Sequence, residues 1–294
     1  MSKTCFVAQI NPEVIEQLKQ DLIAQGFQIK SGPYLIFHAS KTGIQVHLYT
    51  SLKLTVMGKD KDDFILFYLE PEILKSTPFS HPKQEIEQRA HMGSDEAGKG
   101  DYFGPLCVAS CSCTQQLIEK LFDLKVQDSK NLSDTQVIKL AAIIKKIVPY
   151  EVVIIYPKTY NELYLKFKNL NRLLAWAHTK AIESLYERAP QDFIIVDQFS
   201  KDKLVEKMVT KSIKTLQVIE KTKAESDLVV AAASILAREA FLTGLKKLCE
   251  KAEFQLPKGA GPIVIEKAKQ LCKEKTKDIL PSVAKMHFKT TLEL

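Results

Sequence analysis

Along the first quarter of the chain the apolar positions switch between a period of two and a period near 3.6, the marks of strand and helix. Residues 4–10 read as a strand, and Asn11 before Pro12 has the form of a helix N-cap followed by a first-turn proline. Val14, Ile15, Leu18, Leu22 and Ile23 then recur on one helical face as far as Gly26. Strand-like runs follow at 34–38, 44–49 and 52–57, with turns at Gly43 and Thr50-Ser51, and an amphipathic segment covers 63–74. The order β-α-β-β-β-α predicts a compact α+β module over residues 1–75. One sheet face is covered by helix, and the other is open to a duplex or to a neighbouring domain. Residues 76–90 are polar and proline-bearing and read as a linker, which leaves 91–294 as a second domain.

In that second domain strands at 103–113, 151–156, 193–196 and 216–219 alternate with helical patterns at 133–148, 159–188, 201–213, 223–249 and 262–275. Ser133-x-x-Gln136 is a capping-box pattern. Strands alternating with helices after an opening hairpin predict an α/β domain built on a mixed sheet.

Composition narrows the class. With 294 residues, 45% apolar and 26% charged, the chain is that of a globular protein. The longest nearly apolar run, 228–237, is short for a bilayer span and Ser234 interrupts it. The N-terminus lacks a charged-then-apolar signal layout, so a cytoplasmic protein is expected. Six cysteines form no C-x-x-C pair, so neither zinc nor a disulfide framework is expected. Lysines and acids balance over residues 1–75, and the whole net charge of +7 lies beyond them. A basic excess there suits a polyanionic partner. Within 164–180, Lys166, Lys168, Arg172 and Lys180 interleave with aromatic residues and no acid. That pattern fits a surface tracking a phosphate backbone or an amphipathic helix with Trp176 in the core.

The chemistry concentrates in Gly93-Ser94-Asp95-Glu96-Ala97-Gly98-Lys99-Gly100-Asp101-Tyr102-Phe103-Gly104-Pro105. Carboxylates suit a hard divalent cation, and glycines let a backbone come close. Asp95 and Glu96 can serve one cation only if their strand ends there, since neighbours on a strand face opposite ways. Asp197 follows four buried-type residues and stands at a strand's carboxyl end, where open α/β sheets bind ligands. Glu225 and Asp227 fall in the first turn of an alanine-rich helix. Asp95, Glu96, Asp197 and one of Glu225 or Asp227 can therefore converge. Their mutual repulsion calls for two divalent ions of the kind that serve displacement at a phosphodiester. A Gly-x-Ser-x-Gly elbow, a P-loop and a dinucleotide fingerprint are all missing.

The glycine-acid stretch resembles the opening motif of type 2 ribonucleases H, and its Asp-Tyr-Phe-Gly-Pro ending is similar to the ribonuclease HIII branch. Asp128-Ser129-Lys130, Lys223-Ala224-Glu225, Ala231-Ala232-Ala233-Ser234-Ile235-Leu236-Ala237-Arg238 and Lys285-Met286-His287-Phe288-Lys289 match further signatures in the same order. The resemblance implies an RNase H-like mixed sheet flanked by helices, preceded by a small α+β TBP-like substrate-binding domain. It implies Mg2+- or Mn2+-dependent endonucleolytic cleavage of the RNA strand of RNA/DNA hybrids, with two ions present with substrate. The products would carry 5′-phosphate and 3′-hydroxyl ends. Separately from the resemblance, the sequence shows no sign of an obligate protein partner, so a monomer is expected. The acidic quartet carries over onto Asp95, Glu96, Asp197 and Glu225, with Asp227 as the other choice for the fourth. Metal falls to Asp95, Glu96 and Asp197. Ser94, Gly98, Lys99, Gly100, Ser129 and Lys130 become substrate contacts, with His287 a further one or a core histidine. Incision at single ribonucleotides, as in ribonuclease HII, and non-catalytic hybrid binding are the alternatives.

Overall fold

The computed structural model describes residues 5–75, 87–222 and 224–294. The chain forms two compact units that divide near residue 86. Most of the expected linker, residues 76–86, lies outside the described residues.

The first unit contains β1 (Cys5–Gln9), α1 (Ile15–Ala24), β2 (Gln28–Gly32), β3 (Leu35–Lys41), β4 (Ile44–Tyr49), β5 (Lys53–Met57) and α2 (Lys61–Phe64). Past α2 the chain continues as wide π-helical turns over Ile65–Leu74, which contain Pro71. Asn11 accepts from the Glu13 amide, as its position before Pro12 predicts. The sheet is antiparallel, in the order β1-β5-β4-β3-β2. Its β2 strand departs from the expected pattern. Gln28-Ile29-Lys30-Ser31-Gly32 has one large apolar residue and no alternation to detect, and backbone pairing with β3 makes it a strand. Leu18, Leu22, Ile65 and Leu69 bury against Phe37, Val46, Leu48 and Val56, so the helical segments share one core.

The second unit contains β6 (His91–Ala97), β7 (Leu106–Cys113), α3 (Gln115–Asp123), α4 (Asp134–Ile147), β8 (Tyr150–Ile155), α5 (Pro157–Phe167) and α6 (Leu170–Tyr186). After them come β9 (Phe193–Asp197), α7 (Leu204–Ser212), β10 (Gln217–Lys221), α8 (Leu228–Ala252), α9 (Pro262–Lys275) and α10 (Leu280–Val283). The sheet order is β10-β9-β6-β7-β8. β10, β9 and β6 are mutually parallel, whereas β6, β7 and β8 pair antiparallel, giving the mixed sheet the patterning predicts. The Ser133–Gln136 capping box forms and starts α4.

Two helices differ from their expected extent. The region expected as one helix over 159–188 breaks in two. Lys168 is left-handed (φ 52°), and Asn169 caps α6 by accepting from the Arg172 amide. The helix expected to begin at 223 begins at Leu228, because Ala224–Ser226 forms a 3-10 turn and Asp227 is the N-cap.

β6 and α8 form the centre of this unit. Every residue of α8 from Leu228 to Ala237 is buried. By length and composition α8 could cross a bilayer, but 78% of its apolar window lies inside the unit. Close approach to β6 depends on Gly93. A Cβ there would lie 2.5 Å from the Val230 nitrogen and 2.6 Å from the Val229 carbonyl carbon, atoms that cannot move without moving the helix. Gly93→Ala is expected to cost about 1–3 kcal/mol by overpacking. Gly100→Ala, with open space around its Cβ, should stay within about 0.5 kcal/mol. Urea midpoints of the two variants measure the difference, and equal midpoints would remove Gly93 as the contact that sets the spacing.

Candidate active site

Register brings the first acids together. β6 and β9 are parallel with Ser94 opposite Val196, so Asp95 and Asp197 leave adjacent strands at the same edge. The Ala224 amide donates to Asp197 Oδ1 at 3.1 Å, which ties the turn carrying Glu225 to the end of β9. Asp95, Glu96 and Asp197 line one cleft of about 540 Å³, together with Gly98, Lys99, Gly100, Ser129, Lys130 and Arg238. Glu225 lines a neighbouring depression with Asp128 and Asn131 instead. The last expected choice, Asp227, has another task. Its Oδ1 accepts from the Val229 and Val230 amides at 2.9 and 3.0 Å and faces His91 Nε2 at 3.1 Å. It caps α8 from a position 4% exposed.

The cleft is electrostatically tense. Asp95 is 7% exposed, and burial, followed by the charge of Glu96, pushes its pKa up to about 8. Asp197 is also raised, first by burial and then by Glu225 and Glu96, against the Ala224 amide and Lys130. Glu96 differs. Burial works against its charge, but His178, at 3.2 Å from Oε2, and Lys99, at 3.4 Å from Oε1, hold it below the ordinary glutamate value. Lys130 sits in the field of all these groups. Partial burial opposes its charge, yet Asp128, Asp95, Glu225 and Asp197 raise its pKa, and its side chain stays 75% exposed.

Among the described residues no three His, Cys, Asp or Glu side chains stand close enough to enclose an ion as arranged. The donor set nevertheless fits one. It offers carboxylate oxygens only, largely removed from water and mutually repelling, which is the environment a hard divalent cation relieves. Asp95, Glu96 and Asp197 would hold it.

The glycine loop beside the acids is clamped from behind. Gly98 has φ +85°, and a Cβ there would lie 2.2 Å from the Pro105 carbonyl. Asp101 accepts from the Gly259 amide at 2.6 Å, and the Tyr102 amide donates back to the Gly259 carbonyl at 2.8 Å. Lys285, fully buried, donates to the Gly104 carbonyl at 2.6 Å. This Lys-Met-His-Phe-Lys segment braces the loop.

The side chains of two expected contacts, Ser94 and Ser129, are buried and bonded within the protein, and His287, left open between contact and core, packs among aromatic rings. Ser94 has no exposed surface and bonds to the Ala109 carbonyl and to His178. Ser129 is 5% exposed, with its hydroxyl 2.6 Å from Ser234 Oγ. His287 stacks on Tyr164 with ring centroids 4.3 Å apart, and burial, then Lys285, lowers its pKa to about 4. A neutral ring in an aromatic stack is the core-histidine alternative. Sequence reasoning missed His178, Ser234 and Arg238 as parts of the site. His178 shares a buried helical face with Leu174, Ala181 and Leu185, so nothing in its spacing distinguishes it from core. Arg238 donates to Asp134 Oδ1 at 2.7 Å and to the Ser129 carbonyl, which fixes the loop that carries Lys130.

The family model for ribonuclease HII matches residues 92–291. The ribonuclease HIII of Protochlamydia amoebophila is 45% identical over 285 residues, covering 97% of this chain and 95% of its own length. The chain belongs to the ribonuclease HIII family. It is therefore a ribonuclease H, a metal-dependent endoribonuclease acting on RNA/DNA hybrids. Its fold is the one the resemblance implied. The structure of Bst-RNase HIII in complex with Mn2+ superposes with a TM-score of 0.67 at 27% identity, covering 98% of this chain and 97% of that one. The ribonuclease H2 of Pyrococcus horikoshii superposes with a TM-score of 0.61 at 28% identity, covering 69% of this chain and 96% of its own. The shorter match leaves room for a unit this chain has in addition.

Lys285 supplies a test of the clamp. Burial, against Asp101 and Cys107, lowers its pKa to about 7. A lysine depressed on folding adds stability as pH climbs from that value towards the ordinary lysine range, and the gain is lost as pH falls back through 7. Wild type should therefore gain up to about 1.4 kcal/mol per pH unit relative to Lys285→Met above pH 7. Urea denaturation of both at pH 7 and 9 reads this. Parallel slopes would contradict it.

Proposed function

We propose that this chain cleaves the RNA strand of an RNA/DNA hybrid at the cleft bordered by Asp95, Glu96 and Asp197, with Glu225 as the fourth acid. The observation that carries this reading is the parallel register of β6 and β9, which puts a buried and a half-buried aspartate at one sheet edge beside Lys130.

Asp95, Glu96 and Asp197 would hold Mg2+ or Mn2+, two ions when substrate is present, and the ions would activate water and stabilise the leaving oxygen. Lys130, the exposed cation in the field of the acids, receives a phosphate of the RNA strand. Lys99, tied to Glu96, limits the repulsion between the acids and the incoming phosphate. The backbone of Gly98, Lys99 and Gly100 faces the ribose, where a 2′-hydroxyl contact separates RNA from DNA. Gly100, with nothing within 4 Å of an added Cβ, leaves that approach open. Water attacks in line, the P–O3′ bond breaks, and the products carry 5′-phosphate and 3′-hydroxyl ends.

Residues 1–75 serve as the substrate-binding domain, residues 76–90 as linker, and residues 91–294 as the catalytic domain. Together they favour continuous hybrids over a single embedded ribonucleotide. The enzyme acts as a cytoplasmic monomer. Asp197→Asn should lower hybrid cleavage about a thousandfold with either metal, corresponding to several kcal/mol of lost transition-state stabilisation. Glu225→Gln should also lower the rate, whereas Asp227→Asn, which keeps a capping side chain, should leave it within about threefold. Single-turnover cleavage of an all-RNA hybrid and of a duplex with one ribonucleotide measures both points. Full activity of Asp197→Asn would exclude the site. Preference for the single ribonucleotide would exclude the substrate reading.

A further inference from the structure

We propose that His178 is the positioning residue that fixes the Glu96 carboxylate at the cleft, by bridging it to a buried hydroxyl pair formed by Ser94 and Ser110. The proposal rests on the reading of Glu96 as a metal ligand.

The two neighbouring acids of β6 are served from opposite faces of the sheet. Ser94 and Glu96 are two residues apart on β6 and share a face, which α6 covers through His178. Asp95 belongs to the other face, where Ser234 of α8 lines the same cleft. Asp95 is further restrained at its own position, because Oδ1 accepts from the Glu96 amide at 2.8 Å. A glutamate side chain is longer and has more rotamers to lose, so holding Glu96 in one geometry requires an outside restraint.

His178 meets an acceptor at each ring nitrogen. Nε2 is 3.2 Å from Glu96 Oε2, and Nδ1 is 2.8 Å from Ser94 Oγ. Ser94 is not free to rearrange. Its hydrogen is committed to the Ala109 carbonyl at 2.9 Å, and the Ser110 hydroxyl donates to the same oxygen at 2.9 Å. Only lone pairs remain for the ring. The chain of bonds thus starts on β7, crosses β6, enters α6 and returns to β6 one step further along. Phe199 stacks on the imidazole with ring centroids 5.5 Å apart, closing its face. His178, Ser94 and Ser110 all have zero exposure, so the links among them are removed from competition by water. The other tie to Glu96, from Lys99, is longer at 3.4 Å, and its side chain is 36% exposed. Of the two, the histidine is the rigid one.

An arrangement in which a buried group orients a metal ligand predicts a loss of ion affinity, not merely of rate. The two amide substitutions separate the two halves of the ring. Asparagine places its amide nitrogen near the position of Nδ1, so His178→Asn keeps the Ser94 contact and loses the one to Glu96. Glutamine reaches the position of Nε2, so His178→Gln keeps the contact to Glu96. The measurement is Mn2+ binding to the substrate-free full chain, read as free Mn2+ by electron paramagnetic resonance and compared with wild type, with Glu96→Gln as reference. His178→Asn should bind Mn2+ about 10–100-fold more weakly, and His178→Gln should recover most of that loss at a similar melting temperature. If His178→Asn fails to fold, Ser94→Ala is read in its place and should bind Mn2+ more weakly than wild type with the ring intact. Unchanged affinity in His178→Asn while Glu96→Gln loses affinity would overturn the positioning role and leave the site reading standing. Equal weakening in the asparagine and glutamine variants would also overturn it. Unchanged affinity in Glu96→Gln would overturn both the ligand reading and this proposal.

Discussion

A carboxyl group nearly sealed from water, one residue from a second and one strand from a third, is the constraint on which this molecule is organised. Burial and Glu96 together drive Asp95 towards neutrality at pH values where an aspartate is ordinarily ionised. Such a site opposes folding unless compensation is supplied. Part of it is built in: the Glu96 amide for Asp95, the Ala224 amide for Asp197, and His178 and Lys99 for Glu96. These bonds partner individual oxygens but leave the summed negative charge facing the cleft. A divalent cation, and behind it a phosphate, completes the balance.

The rest of the catalytic unit serves that edge. Gly93 lets α8 lie against β6, which brings Ser234 to the cleft that Asp95 lines. On the opposite face α6 brings His178 to Glu96. Behind the glycine loop, Gly259 and Lys285 hold Asp101, Tyr102 and Gly104, so the backbone beside the acids is fixed from segments far along the chain. Arg238 does the same for the loop bearing Lys130. The basic side chains are thus divided. Arg238 and Lys285 are structural, while Lys130 points outward.

Local chemistry made much of this legible in the sequence. The capping box at Ser133 and Gln136, the proline-led helix start at Pro12, and the buried run ending at Asp197 are patterns whose cause lies within a few residues. So is the glycine-acid stretch, where composition already implies a cation and a close backbone. What escaped has its cause at long range. β2 is a strand because β3 pairs with it, not because its own residues alternate. Asp227 is spent on the α8 cap and on His91, which lies 136 positions away. Ser94 stands beside the acids in sequence, yet its bonds to Ala109 and His178 commit it to the interior. His178 itself looks like any polar residue on an apolar helical face until β6 is placed beside it.

The central claim is that the buried carboxylates impose a cost in the ion-free chain which a divalent ion removes. Thermal melting of wild type and Asp95→Asn, each with and without Mn2+, tests it most directly. The isosteric amide keeps the bond from the Glu96 amide and removes only charge. The account predicts that without metal Asp95→Asn melts above wild type, that Mn2+ raises the wild-type melting temperature by mass action, and that the variant does not respond. An ion-free variant that melts below wild type, together with a wild type indifferent to Mn2+, would contradict it.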